Sequence, residues 1–155
     1  MTASAPIPAD VGRFLEANRR TFMITLRKDG SPTGHPVSVF SGGGFFINMY
    51  TASLKSRNLA RDGRTCCVVT TPSEAERFTG VLLRGRARPL PADEALASGA
   101  PAGLASARNP AAEGLSDVAV RIENRVRTIY EVVPTESGTL ERVRRPKPGQ
   151  GRGAS

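Results

Sequence analysis

The densest run of chemically capable residues is Asn48-Met49-Tyr50-Thr51-Ala52-Ser53-Leu54-Lys55-Ser56-Arg57-Asn58. Amide and hydroxyl side chains come first. A lysine and an arginine follow, two residues apart, in what reads as the first turn of a helix over Leu54–Arg61, capped by Ser53 or Thr51. A helix N-terminus presents unpaired N–H groups and a partial positive charge. Cations placed there are repelled, at about 0.3–1 kcal/mol each when exposed. A phosphate would relieve that conflict: Thr51 and Ser53 offer hydroxyl donors, Lys55 a charge, and Arg57 a fork that matches paired phosphate oxygens. A solvated basic helix end capped by Ser53 explains the same residues, and spacing alone leaves the two readings level.

Outside this run the chemistry is sparse. His35 is the one histidine of the chain, which excludes a His-rich metal centre, and no metal site is expected. It shares strand parity with Val37 and Val39, so it reads as a structural histidine, with a hydrogen bond to a substrate or ring carbonyl as the functional alternative. Cys66 and Cys67 are adjacent, which rules out an ordinary structural disulfide between them and fits a reducing compartment; both read as inert core. Arg84, Arg86 and Arg88, spaced by two, share one strand face, where they either meet water or line a groove for an acidic cofactor tail. No nucleophile with a partnering base stands out, so no catalytic residue is assigned. That poverty argues against hydrolysis and is compatible with redox chemistry carried by a cofactor.

The elements that must hold these residues are mostly strands. Ala9–Asn18 reads as a short helix with Asp10 as N-cap and Val11, Phe14 and Leu15 on one apolar face. Thr21–Arg27, His35–Phe40 and Phe45–Tyr50 alternate as strands and are joined by a Lys28-Asp29-Gly30 turn and a Gly42-Gly43-Gly44 turn, which makes an antiparallel meander. After the Leu54–Arg61 helix, Thr65–Thr71 is β-branched and apolar on both faces, a central strand. Pro72–Glu76 is a loop. Arg77–Arg88 is a long strand whose Gly80 and Gly85 suggest bulges. Pro89–Asp117 is rich in Ala, Gly and Pro, with a helical piece at Ala92–Ala97, and Val118–Val133 returns to β character. About six strands with one helix after the third predict a mainly β fold, a small six-stranded antiparallel barrel with a few short helices. Several strands are apolar on both faces, and a second copy of the chain is the simplest cover for the outer one, so a homodimer is expected.

The chain has 155 residues, 39% hydrophobic and 23% charged, with a net charge of +8, amounts ordinary for one soluble domain apart from the charge. Residues 142–155 hold five of the cations and no acid, leaving +3 on the other 141 residues. This divides the chain into a flexible N-terminus (1–8), a folded domain (9–135) and a basic tail (136–155) read as disordered. The charge is thus mostly a tail property, and 5% aromatics without tryptophan offer few stacking platforms, so nucleic acid is not an expected partner. No apolar run spans a membrane and no secretory leader is visible, which predicts a cytoplasmic protein with no membrane partner.

Taken together, the order strand, Asp-Gly turn, His35-Pro36-Val37 strand, Gly turn, strand ending Tyr50-Thr51-Ala52-Ser53, then Lys55-Ser56-Arg57-Asn58-Leu59-Ala60-Arg61-Asp62-Gly63-Arg64 and a β-branched strand resembles the flavin-binding split barrels of the pyridoxamine 5′-phosphate oxidase-like superfamily. The Lys55–Asp62 pattern is most similar to its branch of flavin/deazaflavin oxidoreductases, with Gly63 where Pro usually follows. The resemblance implies a split β-barrel, a homodimer, and either coenzyme F420 or FMN as cofactor, F420 favoured because its polyglutamate tail would suit the arginine-lined body. It implies that Lys55 and Arg57 hold the cofactor phosphate and that Asn48, Thr51 and Ser53 line the phosphate and ribityl pocket. The ring system would lie against Met23, Ile24, Thr25 and Pro36, Val37, Ser38. True pyridoxamine oxidases carry Ser-Arg-Lys where this chain has Ser53-Leu54-Lys55, and their pyridoxal-phosphate residues have no obvious counterpart near the C-terminus, which argues against vitamin B6 as substrate. The activity implied is hydride transfer from the reduced cofactor to an unsaturated or quinone-like small molecule. A non-catalytic barrel that carries a flavin, haem or tetrapyrrole is the alternative, and a nucleic-acid-binding domain ranks below both.

Overall fold

A computed structural model describes residues 7–41, 44–72, 77–98 and 120–144. Among these, α1 (Ala9–Ala17) leads into β1 (Arg20–Leu26), β2 (Pro32–Ser41) and β3 (Phe45–Tyr50). These are followed by α2 (Leu54–Arg61), β4 (Arg64–Thr70), β5 (Arg77–Pro89), α3 (Ala92–Ala97) and β6 (Arg127–Arg144). The six strands are antiparallel and close in the order β1-β2-β3-β6-β5-β4, with β4 returning to β1. The expected barrel is therefore the observed one. The Asp-Gly turn between β1 and β2 forms with Gly30 at φ 82°, where a side chain would be strained. Asp29 Oδ1 accepts from the Ser31 N–H at 3.0 Å.

Side-chain alternation sorts each strand into an inner and an outer row. Met23, Val39, Phe45, Ile47, Met49, Cys67, Val69, Val81, Leu83, Tyr130 and Val132 fill the interior, with Val11 and Leu15 of α1 and Leu59 of α2 packed into the same cluster. The apolar face of α1 is the expected one, but its N-cap is Pro8, and Asp10 sits inside the first turn. On β1 the inward row is Thr21, Met23 and Thr25, while Phe22 is exposed and Ile24 and Leu26 half-buried on the outside. On the outer face of β3 and β6, Phe46 and Ile129 form a second cluster with Leu90, Ala95 and Ile122. Strand parity alone cannot tell inside from outside when both rows are apolar.

Two expected boundaries are corrected. Residues 120–123 form a helical turn in place of strand, closed by Asn124 N–H to Val120 O (2.9 Å) and Val126 N–H to Arg121 O (2.9 Å). Ile122 is thereby pressed onto the second cluster, a tertiary contact that outweighs the local β-branched composition. The folded domain also does not stop at 135: β6 runs on to Arg144, paired with β5 through Leu83–Ser137, Leu82–Gly138 and Phe78–Val143. β5 is 13 residues long, and its backbone groups need a partner strand whatever side chains that strand carries. The Gly42–Gly43 turn, the 73–76 loop, the 99–119 excursion and the 145–155 part of the tail lie outside the described residues.

The β5–β6 ladder shifts register at Phe78/Gly80 and at Arg84/Gly85, the two places where glycine suggested a bulge. At Gly85 an added Cβ would collide with the backbone of Val133 and Pro134. Gly85→Ala is therefore expected to cost about 1–3 kcal/mol, read as a lower Tm in thermal unfolding, whereas the same change at Gly34, which has open space around it, leaves Tm nearly unchanged.

Candidate functional site

Helix α2 stands at the end of β3 with its polar side against the barrel. The Ser53 side chain is the cap: in extended backbone (φ −70°, ψ 155°), its Oγ accepts from the Ser56 N–H at 3.3 Å. Thr51 is committed elsewhere, its N–H to Val126 O (3.1 Å) and its hydroxyl to Thr128 (2.8 Å), so the choice between the two caps falls to Ser53. The first turn of α2 holds no acidic residue. Lys55 is half-buried and Arg57 exposed; two residues of helix separate them by about 200°, so they flank the terminus on opposite sides.

The orientation of α2 is set by a seam of polar contacts. Asn58, 2% exposed, donates through Nδ2 to Thr25 Oγ1 of β1 (3.0 Å) and accepts at Oδ1 from Arg61 Nη2 (3.1 Å). Arg61 also donates to Leu26 O (2.5 Å). On the other side, the Ser56 hydroxyl meets Tyr130 OH of β6 at 2.9 Å. Buried polar groups without such partners would be costly, so these contacts allow one docking angle.

His35 extends the seam. Its Nε2 lies 3.2 Å from Thr25 Oγ1, a hydroxyl that already accepts from Asn58 and has its own proton to give. That arrangement suits a neutral ring accepting at Nε2. Partial burial, then the charges of Lys55 and Arg27, hold His35 below its ordinary pKa of 6.5. The unfolded chain thus binds more protons as pH falls through 6.5, and the stability His35 contributes above that pH is lost toward its folded pKa. The same observation puts His35 in a positive field to which both Lys55 and Arg27 contribute.

The expected site residues divide into groups. Met23, Thr25 and Val37 lie on the inner row with His35: Met23 and Thr25 are fully buried, and Val37 packs on the core. Thr25 is the one tied directly to α2. Pro36 is exposed on the outer row, and Ile24 faces outward too, into a shallow 440 Å³ depression with Cys66 and Arg84. Ser38 lies in β2 with its backbone opposite Arg20. Asn48 is on the outer face of β3, opposite Ile129; its Oδ1 is buried without a partner, an acceptor left open for a donor from elsewhere. Thr51, Ser53, Lys55 and Arg57 converge around the start of α2.

Other expectations change on contact with the structure. Arg84, Arg86 and Arg88 do share an exposed face, but Arg84 pairs with Glu136 (3.2 Å), and Arg88 pairs with both Glu131 (2.7 Å) and Glu94 (3.1 Å). Arg86 alone of the three makes no ion pair among the described residues. A groove of three free cations is absent. Cys67 is inert core, its thiol pushed up to about 12 by burial. Cys66 is not core: it is half-buried on the outer face, and burial raises its pKa as well. Asn58, Tyr130 and Arg127 were not singled out from sequence. A polar residue on the core-facing side of a predicted helix was the signal available for Asn58.

A small six-stranded antiparallel barrel with a basic, serine-capped helix packed against it defines the class: a split barrel. The chain belongs to the pyridoxamine 5′-phosphate oxidase family, whose sequence model matches residues 7–136. No curated protein matches the chain by sequence. Among solved structures it is similar to a conserved hypothetical protein from Mycobacterium tuberculosis (18% identity, TM-score 0.69, covering 90% of this chain and 87% of that one). It is similar to HutZ, the heme storage protein from Vibrio cholerae (12% identity, TM-score 0.65, 89% and 96% covered), and to an F420 reductase (19% identity, TM-score 0.55, 85% and 98% covered). At these identities the likeness is one of fold.

In a ring-proton NMR titration, His35 is expected to titrate below 6.5. Lys55→Ala should raise its midpoint, and so should pyrophosphate added to the unsubstituted protein, because each reduces the positive field at the ring. A midpoint indifferent to Lys55→Ala would mean that the two groups are not neighbours.

Proposed function

We propose that this protein is an oxidoreductase that holds a flavin-type cofactor by its phosphate at the N-terminus of α2 and passes hydride to an unsaturated or quinone-like small molecule. The observation that carries this reading is the α2 terminus itself. It has a serine cap, no acid in its first turn, and Lys55 and Arg57 on either side, in a family whose members bind flavins such as FMN. The residues fit such a group. Lys55 and Arg57 would hold the phosphate, Ser53 and Thr51 lie beside it, and the orphaned Asn48 Oδ1 is free to accept a hydroxyl or N–H. The cofactor would supply the hydride; the protein's part is to orient it, exclude water and bias its charge. His35, neutral and fixed through Thr25, presents a polarised edge to that site without needing to gain or lose a proton.

Between cofactors, the proposal keeps F420 first and FMN second. The support is the resemblance of the Lys55–Asp62 pattern to flavin/deazaflavin oxidoreductases and, separately, the fold likeness to an F420 reductase, no longer the arginine stripe, whose Arg84 and Arg88 are paired with glutamates. A haem carrier is the second reading, favoured by the fold likeness to a heme storage protein. Against it, Nε2 of His35, the chain's one imidazole, is engaged by Thr25.

Titration with FMN and F420, followed by absorbance or fluorescence, tests the reading. A charge-assisted hydrogen bond contributes roughly 1.5–3 kcal/mol, so Lys55→Ala and Arg57→Ala should each weaken binding about ten- to hundredfold with little change in Tm. Failure of both cofactors to bind at micromolar concentration would remove the proposal. Oxidation of the reduced cofactor by added quinones or activated alkenes separates an enzyme from a carrier.

The proposal includes a homodimer. The outer faces of β1, β4 and β5 carry a cross-strand row of Phe22, Val68 and Leu82, with Phe22 43% exposed and none of the three in either buried cluster. Light scattering should give twice the 16.4 kDa chain mass, and Phe22→Glu should return it to one. A monomeric unsubstituted protein would refute this part.

A further inference from the structure

Arg127 opens β6 on the outer face of the barrel, directly opposite Tyr50. It is 3% exposed. Its guanidinium lies 4.2 Å from the centre of the Tyr50 ring and donates a hydrogen bond from Nη2 to Tyr50 OH (3.1 Å). Its Nε is buried without any partner, and no carboxylate pairs with it among the described residues. Glu131, on the same face of β6, and Glu94 of α3 are both engaged by Arg88. A buried cation with neither counter-charge nor a full set of acceptors is destabilising as it stands, which makes it a receptor for an anion.

The same arginine lines a cavity of about 450 Å³ between β6, α3 and the helical turn at 120–123, within the roughly 300–1,000 Å³ of small-molecule sites. Leu90, Ile122 and Ile129 give it apolar walls, and Arg125 stands at its side. Arg125 is the one described non-glycine residue with positive φ, 57°, held there as its N–H closes the turn onto Ile122 O (3.0 Å). Thr51 lines the cavity as well, so it adjoins the strand end that leads to the α2 cap.

We propose that this cavity binds a small carboxylic acid with a flat apolar body: the carboxylate against the Arg127 guanidinium and Nε, where a planar fork is matched, and the apolar part against Leu90, Ile122 and Ile129. That this acid is also the substrate class of the redox reaction rests on the reading given under the proposed function; the binding itself does not.

The experiment uses the full chain without cofactor and isothermal titration with four probes: 2-naphthoate, 2-naphthalenemethanol, 2-naphthyl phosphate and acetate. 2-Naphthoate is expected to bind at least tenfold more tightly than any of the other three. Equal or tighter binding of the alcohol would overturn anion recognition; equal or tighter binding of the phosphate would overturn the carboxylate; and equal or tighter binding of acetate would overturn the apolar walls. Arg127→Met should reduce 2-naphthoate affinity at least tenfold while Tm holds or rises, because the variant removes an uncompensated charge; retained affinity would refute the site. Should that variant not fold, Ala92→Phe, an exposed position on the rim of the cavity, tests the location: it should block 2-naphthoate at unchanged Tm, and unaltered binding would refute it. If 2-naphthoate binds while neither FMN nor F420 does, the cavity stands and the cofactor reading falls; the reverse result separates them the other way.

Discussion

The docking of α2 on the barrel depends on polar groups that must find each other. Asn58 and Ser56 are buried on a helix otherwise made largely of charged and small residues, with Leu59 its one buried apolar side chain. Their partners, Thr25 on β1 and Tyr130 on β6, lie on different strands. Apolar contact tolerates sliding; a buried amide and a buried hydroxyl do not, since a shift of an ångström or so leaves them unsatisfied. The seam therefore places the N-terminus of α2, its Ser53 cap and its two cations at one position relative to β1 and β2.

That placement governs the electrostatics around it. Lys55 is close enough to His35 to lower its pKa, and Thr25, by accepting from Asn58, keeps its proton for the imidazole. The result is a positively charged helix terminus beside a neutral histidine. A helix terminus of that sign favours an arriving anion, while Arg84 and Arg88 of β5 are paired with Glu136, Glu131 and Glu94.

The outer surface of the barrel is also divided. α3 and the 120–123 turn cover β3 and β6, burying Phe46 and Ile129 and enclosing the cavity beside Arg127. On another outer face Phe22 is exposed and Val68 and Leu82 half-buried, and none of them joins either buried cluster. A barrel of six strands has too little interior for every apolar residue of strands that are apolar on both sides, so each excess row needs its own layer.

The amino-acid sequence by itself determined the existence of β1 to β5, the α2 boundaries, the Asp-Gly turn and the bulges at Gly80 and Gly85. Each of these rests on local periodicity or on a glycine's freedom, which neighbours in the chain are enough to specify. It also marked Ser53, Lys55 and Arg57, because a cation in the first turn of a helix is anomalous wherever the helix sits. Only the tertiary structure decided which row of each strand faces inward, that 120–123 is helical, and that β6 continues to Arg144 along the length of β5. It alone joined Thr25, His35 and Asn58, drawn from three separate elements, and buried Arg127 without a counter-charge. These depend on register and on which surface another element covers, and neither is written in the spacing of residues along one segment.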